Sequence, residues 1–299
     1  MLVAMSSVSV VLIFLDAERF MREAVQSVID QTMTDWELIL VDDGSRDRSR
    51  EIAQDLAVSD DRITYCHHPN YENRGMSASR NLGASHGSGR YIAFLDADDV
   101  WLPNKLSEQT ALLDEMPDVA MVVGAPLYWY SWEPSSTLRD QVIHPAGFQD
   151  ERLEPPDAAL ELYPLKRRPG GVIGGLIRRS AFDAVGGYED RFRSLYEDQA
   201  LYLKLYLQFP IFISSRTWMR YRQLDASCCG RSSRGEAWRR RGEFLVWLQE
   251  SDDLARTNDT RVGAAVRRRR REIPFLLAVA PVVEVVDRLR ERATNRLSI

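Results

Sequence analysis

Apolar positions along the chain follow two alternating periods. Val8 to Leu15 (VSVVLIFL) is an unbroken β-branched and apolar run, the pattern of a strand buried on both faces of a parallel sheet. From Glu18 to Gln31 the residues Phe20, Ala24, Val25 and Val28 recur at helical spacing, and Glu37 to Val41 (ELILV) reads as a second buried strand. The alternation continues with a helix around Ser49 to Leu56, a strand over Arg62 to His67, a helix from Met76 to His86 and a strand over Tyr91 to Leu95. Four strands alternating with three helices predict a doubly wound α/β sheet. Ligands in such sheets bind beyond the carboxyl ends of the strands. The residues that follow Leu15, Val41 and Leu95 are all acidic: Asp16, Asp42 and Asp96.

Farther along, Pro103 opens a helix to about Met116, and Val119 to Gly124 makes another strand. The stretch from Ala125 to Arg168, broken by Pro126, Pro134, Pro145, Pro155, Pro156 and Pro164, reads as a variable insertion on the substrate side. Leu176 to Arg178 is strand-like, Gly186-Gly187 breaks the chain, and a helix begins near Tyr196. From Glu236 the pattern is helical and arginine-rich, which divides the chain into residues 1–124, 125–235 and a basic tail, 236–299. No internal repeat is present.

Composition narrows the class. The 299 residues, 44% hydrophobic and 28% charged, suit one large α/β domain or a domain with an appendage and exclude global disorder. The net charge of -5 gives no nucleic-acid footprint, yet residues 1–215 carry -13 and residues 216–299 carry +8. Cys66, Cys228 and Cys229 form no disulfide framework, which fits a reducing cytosol. Val8 to Leu15 has no basic flank and runs into Asp16, so neither a signal peptide nor a membrane span is expected there. The apolar stretch Ile273 to Val286 contains Pro274, Pro281 and Glu284 and falls short of the ~20 residues a spanning helix needs. The clustered arginines 239–241 and 267–271 suit either solvated helix faces or peripheral contact with anionic lipid.

Candidate chemistry lies at the acidic strand ends. Asp96-Ala97-Asp98-Asp99 places three carboxylates within four residues, a self-repelling group that a hard divalent cation such as Mg²⁺ or Mn²⁺ would neutralise while gripping a diphosphate. Asp99 can instead cap the helix that follows. Asp42-Asp43-Gly44-Ser45 ends the second strand in the same way, suited either to accepting from a base or ribose, or to a turn. The four histidines show no metal spacing, and His67-His68 is expected to face solvent in a loop. Tyr128, Trp129, Tyr130 and Trp132 suit an acceptor platform, core packing or a dimer contact.

The segments VSVVLIFLDAERF, SVIDQTMTDWELILVDDGSRDRS, NRGMSASRNLGASHGSGRYIAFLDADD and GGYEDRFRSLYEDQALYLKL, in this order and spacing over residues 8 to 225, resemble the family 2 inverting glycosyltransferases of GT-A fold. The resemblance implies a nucleotide-sugar-binding half over residues 1–124, an acceptor-side half over 125–235 and the basic tail beyond. It implies that Asp43 reads the base, that Leu15 and Asp16 line the donor nucleotide, and that Arg80 lies near its phosphates, with Asn81 and Gly83 structural. Asp96 would face the ribose or donor sugar, Asp98 would hold Mn²⁺ or Mg²⁺, Asp99 would contact the donor sugar or only orient the loop, Glu197 would contact the donor sugar, and Asp198 would be the general base. The partners implied are a nucleotide-sugar donor, UDP-linked first of all, and a saccharide or lipid-linked acceptor, at the cytoplasmic face of a membrane and in cell-surface polysaccharide or glycolipid synthesis. Oligomeric state is left open.

Two positions depart from that pattern. Ile13-Phe14-Leu15-Asp16 stands where a Tyr-Asn pair usually ends the first strand, and Leu224 stands where a His follows the Tyr-Arg of a late strand, with Arg222 or Asp225 as local substitutes near the diphosphate. These losses keep open a non-catalytic nucleotide-sugar-binding or scaffold subunit. A nucleotidyltransferase ranks last, because LDAERF replaces the Gly-rich loop it requires.

Overall fold

The computed structural model describes residues 7–166, 172–224, 234–251, 259–272, 274–276, 278–279 and 281–283. Its framework is an eight-stranded mixed sheet. The expected parallel half is present as β1 (Val8–Phe14), β2 (Trp36–Asp42), β3 (Ile63–His67) and β4 (Tyr91–Asp96), connected by α1 (Met21–Ile29), α2 (Ser49–Ser59) and α3 (Met76–His86). Their spatial order is β3-β2-β1-β4. Every residue of β1 is buried, as its continuous apolar run requires of a central strand.

Beyond β4 the sheet turns mixed. After β5 (Val100–Trp101), α4 (Lys105–Glu115) and β6 (Met121–Val123), the chain forms β7 (Leu127–Trp129), β8 (Gln141–Val142), β9 (Glu151–Leu153) and α5 (Asp157–Glu161). Then follow β10 (Leu176–Arg178), α6 (Arg179–Ala184), α7 (Glu197–Gln208), β11 (Ile211–Ile213) and β12 (Met219–Arg222). The large sheet continues β4-β10-β6-β11-β9, with β10 antiparallel to both its neighbours, and a second sheet runs β5-β12-β7-β8. The proline-broken stretch expected to be an irregular insertion therefore supplies edge strands to both sheets. Strands of two or three residues carry too little periodicity to be read from sequence.

The tail contributes α8 (Arg234–Glu250) and α9 (Thr260–Arg270). Phe244, Leu245, Trp247, Leu248, Val262 and Ala265 are buried in one core with Val11, Met121 and Leu205, so these helices pack on the sheet's own hydrophobic face. A second core covers the opposite face, where α1 and α4 lie. Among the described residues no helix is long and apolar enough to cross a membrane.

Candidate active site

Strand register assembles an acidic rim. Phe14 of β1 lies opposite Asp42 of β2, and Ile13 lies opposite Asp96 of β4, so the carboxyl ends of three adjacent strands finish side by side. Asp16 adopts a left-handed conformation (φ 52°), donates its amide to Ser45 Oγ at 3.1 Å and accepts from the Arg46 amide at 2.7 Å. It thus stitches the loop after β1 to the loop after β2. Leu15 beside it is 47% exposed, an apolar surface at the rim.

Asp43 is held by backbone. Its Oδ1 accepts from the Arg74 amide at 2.7 Å and its Oδ2 from the Gly75 amide at 3.0 Å, which pins the loop before α3 across the end of β2. Only glycine suits position 75, because its φ is +89° and an added Cβ would meet Arg193 at 2.7 Å. Behind Asp43 lies His68, which is buried rather than facing solvent as expected. Its Nε2 sits 2.9 Å from Ser79 Oγ and 3.8 Å from Asp43 Oδ1. Burial lowers its pKa, so the ring is neutral at pH 7. Its burial had no signal in the chain, since a histidine after a strand reads equally as loop.

The Asp-Ala-Asp-Asp turn is gripped from β12. Arg222 donates Nε to the Asp98 carbonyl at 2.6 Å, its amide donates to Asp99 Oδ1 at 2.9 Å, and its Nη2 donates to Glu23 Oε2 at 2.5 Å. Phe20 and Trp129 stand 4.5 and 4.4 Å from its guanidinium, and Trp132 stands at 5.2 Å. Arg222 is committed to the turn and its aromatic box instead of facing a diphosphate, and of the readings open for the aromatic segment, packing describes Trp129 and Trp132. Asp99 is 1% exposed and bonded to the β12 backbone, so it supports the turn from beneath, and Asn104 takes the N-cap position of α4. Leu224 is half-buried just past β12, while Asp225 and the Cys228-Cys229 pair lie outside the described residues.

Among the described residues the Asp98 carboxylate accepts no hydrogen bond from another side chain, and Asp99 accepts only from the Arg222 amide. Burial, then the charge of Asp96, pushes its pKa up to about 6. Burial pushes Asp99 upward more strongly, with Asp98 and Asp96 adding to the effect. A pair of repelling carboxylates, one of them without a counter-charge in contact, fits a divalent cation. Among the described residues no group of three or more His, Cys, Asp or Glu side chains converges, so the protein offers only part of a coordination sphere.

Arg80 joins this rim to the far side of the cleft. It is 5% exposed, donates Nη2 to Asp96 Oδ1 at 2.7 Å and Nη1 to Glu197 Oε1 at 3.0 Å, and lies over the Tyr188 ring at 5.3 Å. Burial disfavours its charge, but Asp96, Tyr188 and Glu197 outweigh that and hold its pKa well above the ordinary value. The guanidinium expected near phosphates is thus placed between two carboxylates. Glu197 and Asp198 open α7, after Tyr196 in a left-handed conformation (φ 73°). Asp198 accepts from the Gln199 amide at 2.7 Å and from Gln199 Nε2 at 3.2 Å. Burial raises the pKa of both acids, and the mutual charge of the pair adds to the effect at Glu197.

An acidic rim on a parallel half-sheet, tied by a buried arginine to a second acidic pair, marks the strand ends as the candidate site of an α/β enzyme. The chain belongs to glycosyl transferase family 2, whose profile matches residues 9–186. It is 40% identical over 110 residues to a putative teichuronic acid biosynthesis glycosyltransferase, TuaG, of Bacillus subtilis, covering 36% of this chain and 42% of that one. It is 38% identical over 106 residues to the UDP-Glc:alpha-D-GlcNAc-diphosphoundecaprenol beta-1,3-glucosyltransferase WfgD of Escherichia coli, covering 36% and 40%. These matches thus span less than half the length of either curated relative. The fold is GT-A. It superposes on the crystal structure of S. aureus TarS 1-349 in complex with UDP with a TM-score of 0.63 at 15% identity, covering 89% of this chain and 71% of that one.

Proposed function

We propose that the chain is a metal-dependent, inverting glycosyltransferase that moves a sugar from a nucleotide diphosphate sugar, UDP-linked first of all, to the hydroxyl of a saccharide or lipid-linked acceptor in cell-surface polysaccharide or glycolipid synthesis. The observation that carries this reading is the Asp96–Arg80–Glu197 bridge, which joins the acidic rim to the pair containing Asp198 through one buried arginine. UDP is favoured because TarS is described in complex with UDP and WfgD by its name uses UDP-Glc.

Each residue then has a role. Asp43 and Leu15 line the base, Asp16 fixes the loop beside it, and Asp96 faces the ribose or donor sugar. Asp98, with Asp96, would hold Mn²⁺ or Mg²⁺, which when bound neutralises charge on the donor diphosphate. Arg80 orients Asp96 and Glu197 beside the donor phosphates. Asp198 takes the proton of the acceptor hydroxyl as its oxygen bonds to the anomeric carbon and the bond from that carbon to the diphosphate oxygen breaks. One displacement inverts the anomeric centre. The exposed Arg267, Arg268 and Arg271, near Phe275 at 60% exposure, support peripheral contact with anionic lipid at the cytoplasmic face of a membrane.

The test is calorimetry and transfer assay with UDP-, GDP-, dTDP- and CMP-sugars, with and without Mn²⁺. One nucleotide class binding in a Mn²⁺-dependent way, lost in Asp98→Ala and kept in Asp198→Asn while transfer is lost, is the expected result. Equal donor affinity in wild type and Asp98→Ala would overturn the metal assignment, and full transfer by Asp198→Asn would overturn the base.

A further inference from the structure

Two arginines of the C-terminal helices share one carboxylate. Arg241 on α8 donates Nη2 to Glu272 Oε2 at 2.5 Å, and Arg269 near the end of α9 donates Nη1 to Glu272 Oε1 at 3.0 Å. Among the described residues neither arginine pairs with a second carboxylate, so the cluster keeps an excess positive charge. Arg269 is 2% exposed. Its Nε donates to the Leu165 carbonyl at 3.1 Å, but its Nη2 is buried with no hydrogen-bond partner among the described residues. A buried cationic N–H left unmade is unfavourable, and natural structures seldom leave one without a purpose. Arg241 is 30% exposed, so the cluster is open on one side.

Two tyrosines link it to the segment that carries the candidate base. Tyr163, two residues before Leu165, hydrogen-bonds Tyr196 and lies within electrostatic reach of Arg241, Arg269 and Asp198. Tyr196 directly precedes Glu197 and Asp198. The neighbouring arginines are differently used: Arg239 and Arg240 pair with Glu236 and Glu243 on their own helix, while Arg267, Arg268 and Arg271 are exposed.

We propose that Arg241 and Arg269 form a subsite for a phosphate or diphosphate group carried by the acceptor, beside the hydroxyl that Asp198 deprotonates. The inference rests on the transferase reading and adds the acceptor's chemistry to it. Planar guanidinium groups match phosphate oxygens with paired, charge-assisted hydrogen bonds. An anion displacing Glu272 gains Arg241 and supplies the missing partner for Arg269, and the Glu272 side chain, 26% exposed, is free to turn to water. A neutral acceptor would leave the excess charge as it stands.

The experiment is calorimetry on the full chain saturated with UDP and Mn²⁺, titrated with glucose, galactose and N-acetylglucosamine 1-phosphates and with the matching methyl glycosides. The expected result is that one or more sugar phosphates bind about tenfold tighter than their methyl glycosides, as one added charge-assisted contact gives. That preference is expected to disappear in Arg241→Gln and to grow in Glu272→Gln. Arg269→Lys, which keeps the buried charge, serves where Arg269→Gln does not fold. Equal binding of phosphate and methyl glycoside, no binding of either, or a preference unchanged in Arg241→Gln would overturn the subsite. Vesicles of phosphatidylcholine with and without phosphatidylglycerol separate the two sources of phosphate. Loss of vesicle binding in Arg241→Gln with no sugar-phosphate preference in wild type would assign these arginines to lipid headgroups and overturn the acceptor assignment. UDP affinity, read in the same titrations, reports separately on the transferase reading, since its absence condemns that reading whatever the arginines bind.

Discussion

Tyr196 stacks on Phe244 with ring centroids 5.1 Å apart and planes 21° from parallel. The contact joins a tail helix to the residue that precedes Glu197 and Asp198. Tyr196 is also a non-glycine residue at φ 73°, a conformation that costs on the order of 1 kcal/mol or more and persists only where its surroundings enforce it. Phe244, Phe192 and Trp247 supply that enforcement as one aromatic cluster. Phe244→Ala is expected to lower stability by about 3–5 kcal/mol, the usual cost of emptying a buried aromatic site. Tyr196→Gly relieves the backbone strain but removes the ring, whereas Tyr196→Phe keeps the ring with the same strain. If stacking positions the acidic pair, transfer activity survives Tyr196→Phe far better than Tyr196→Gly. Equal activity in the two would remove the positioning role.

Arg80 gives the largest expected single effect. Replacing it by Met leaves Glu197 buried and Asp96 half-buried without their counter-charge, a loss of about 3–5 kcal/mol for a broken buried pair. The pH dependence has a definite sign. Burial already raises the Glu197 pKa above its ordinary 4.5, and without Arg80 it rises further. A carboxyl with a raised folded-state pKa contributes stability fully below its unfolded value and loses it as pH climbs through the folded value. The part of the Arg80→Met deficit that belongs to Glu197 should therefore be largest well above pH 8 and shrink as pH falls toward about 8, the folded-state pKa of Glu197 in the wild type. Urea midpoints at a series of pH values measure this, and a deficit independent of pH would show that Glu197 is not the group left uncompensated.

The parallel half of the fold was legible because buried parallel strands are continuous apolar runs and their helices have a 3.6 period, as β1 and α1 illustrate. The candidate site was legible where acidic residues follow those runs directly, at Asp16, Asp43, Asp96 and Asp98. What sequence could not give were partners distant along the chain. Arg80 is 117 residues from Glu197, and Arg222 is 124 from Asp98. Neither pairing has a local signature, so both arginines read as phosphate ligands, the commoner use of arginine near an acidic metal motif. His68 was misplaced for the same reason, since burial of a polar residue depends on the layer that covers it.

Lys105 is fully buried without a carboxylate partner among the described residues. Its ammonium group donates to Gln109 Oε1 at 2.6 Å and to the Gly174 carbonyl, and it sits 4.7 Å from the Trp101 ring centre. Burial lowers its pKa from 10.5 to about 7. Between these values the unfolded chain binds the extra proton, so stability rises with pH from about 7 toward 10.5 as this residue contributes. Lys105→Met should remove that component and flatten the curve of unfolding free energy against pH over this window. A variant whose curve keeps the wild-type slope would show that Lys105 stays charged in the folded protein, held by its two acceptors and Trp101.

Gly83 sits mid-helix in α3, where alanine would gain about 1 kcal/mol by helix propensity alone. Packing opposes that gain. A Cβ at this position would lie 2.4 Å from Val11 Cγ1 and 2.9 Å from Val41 Cγ2, both on fully buried central strands whose side chains have no room to retreat. Overpacking of this kind costs roughly 1–3 kcal/mol. The two effects have opposite signs, and the clash should win because it falls on two β-branched side chains, which have little rotamer freedom. Gly83→Ala is therefore expected to be destabilising by about 1–2 kcal/mol, and paired substitution Gly83→Ala with Val11→Ala should recover part of that loss by opening space for the new methyl. Because α3 also carries Arg80, a shift of the helix away from β1 would move the guanidinium from Asp96. The single variant should then lose donor affinity as well as stability, and the double variant should regain some of both. A stabilised Gly83→Ala protein would mean that propensity outweighs packing here and that α3 can slide without cost to the bridge.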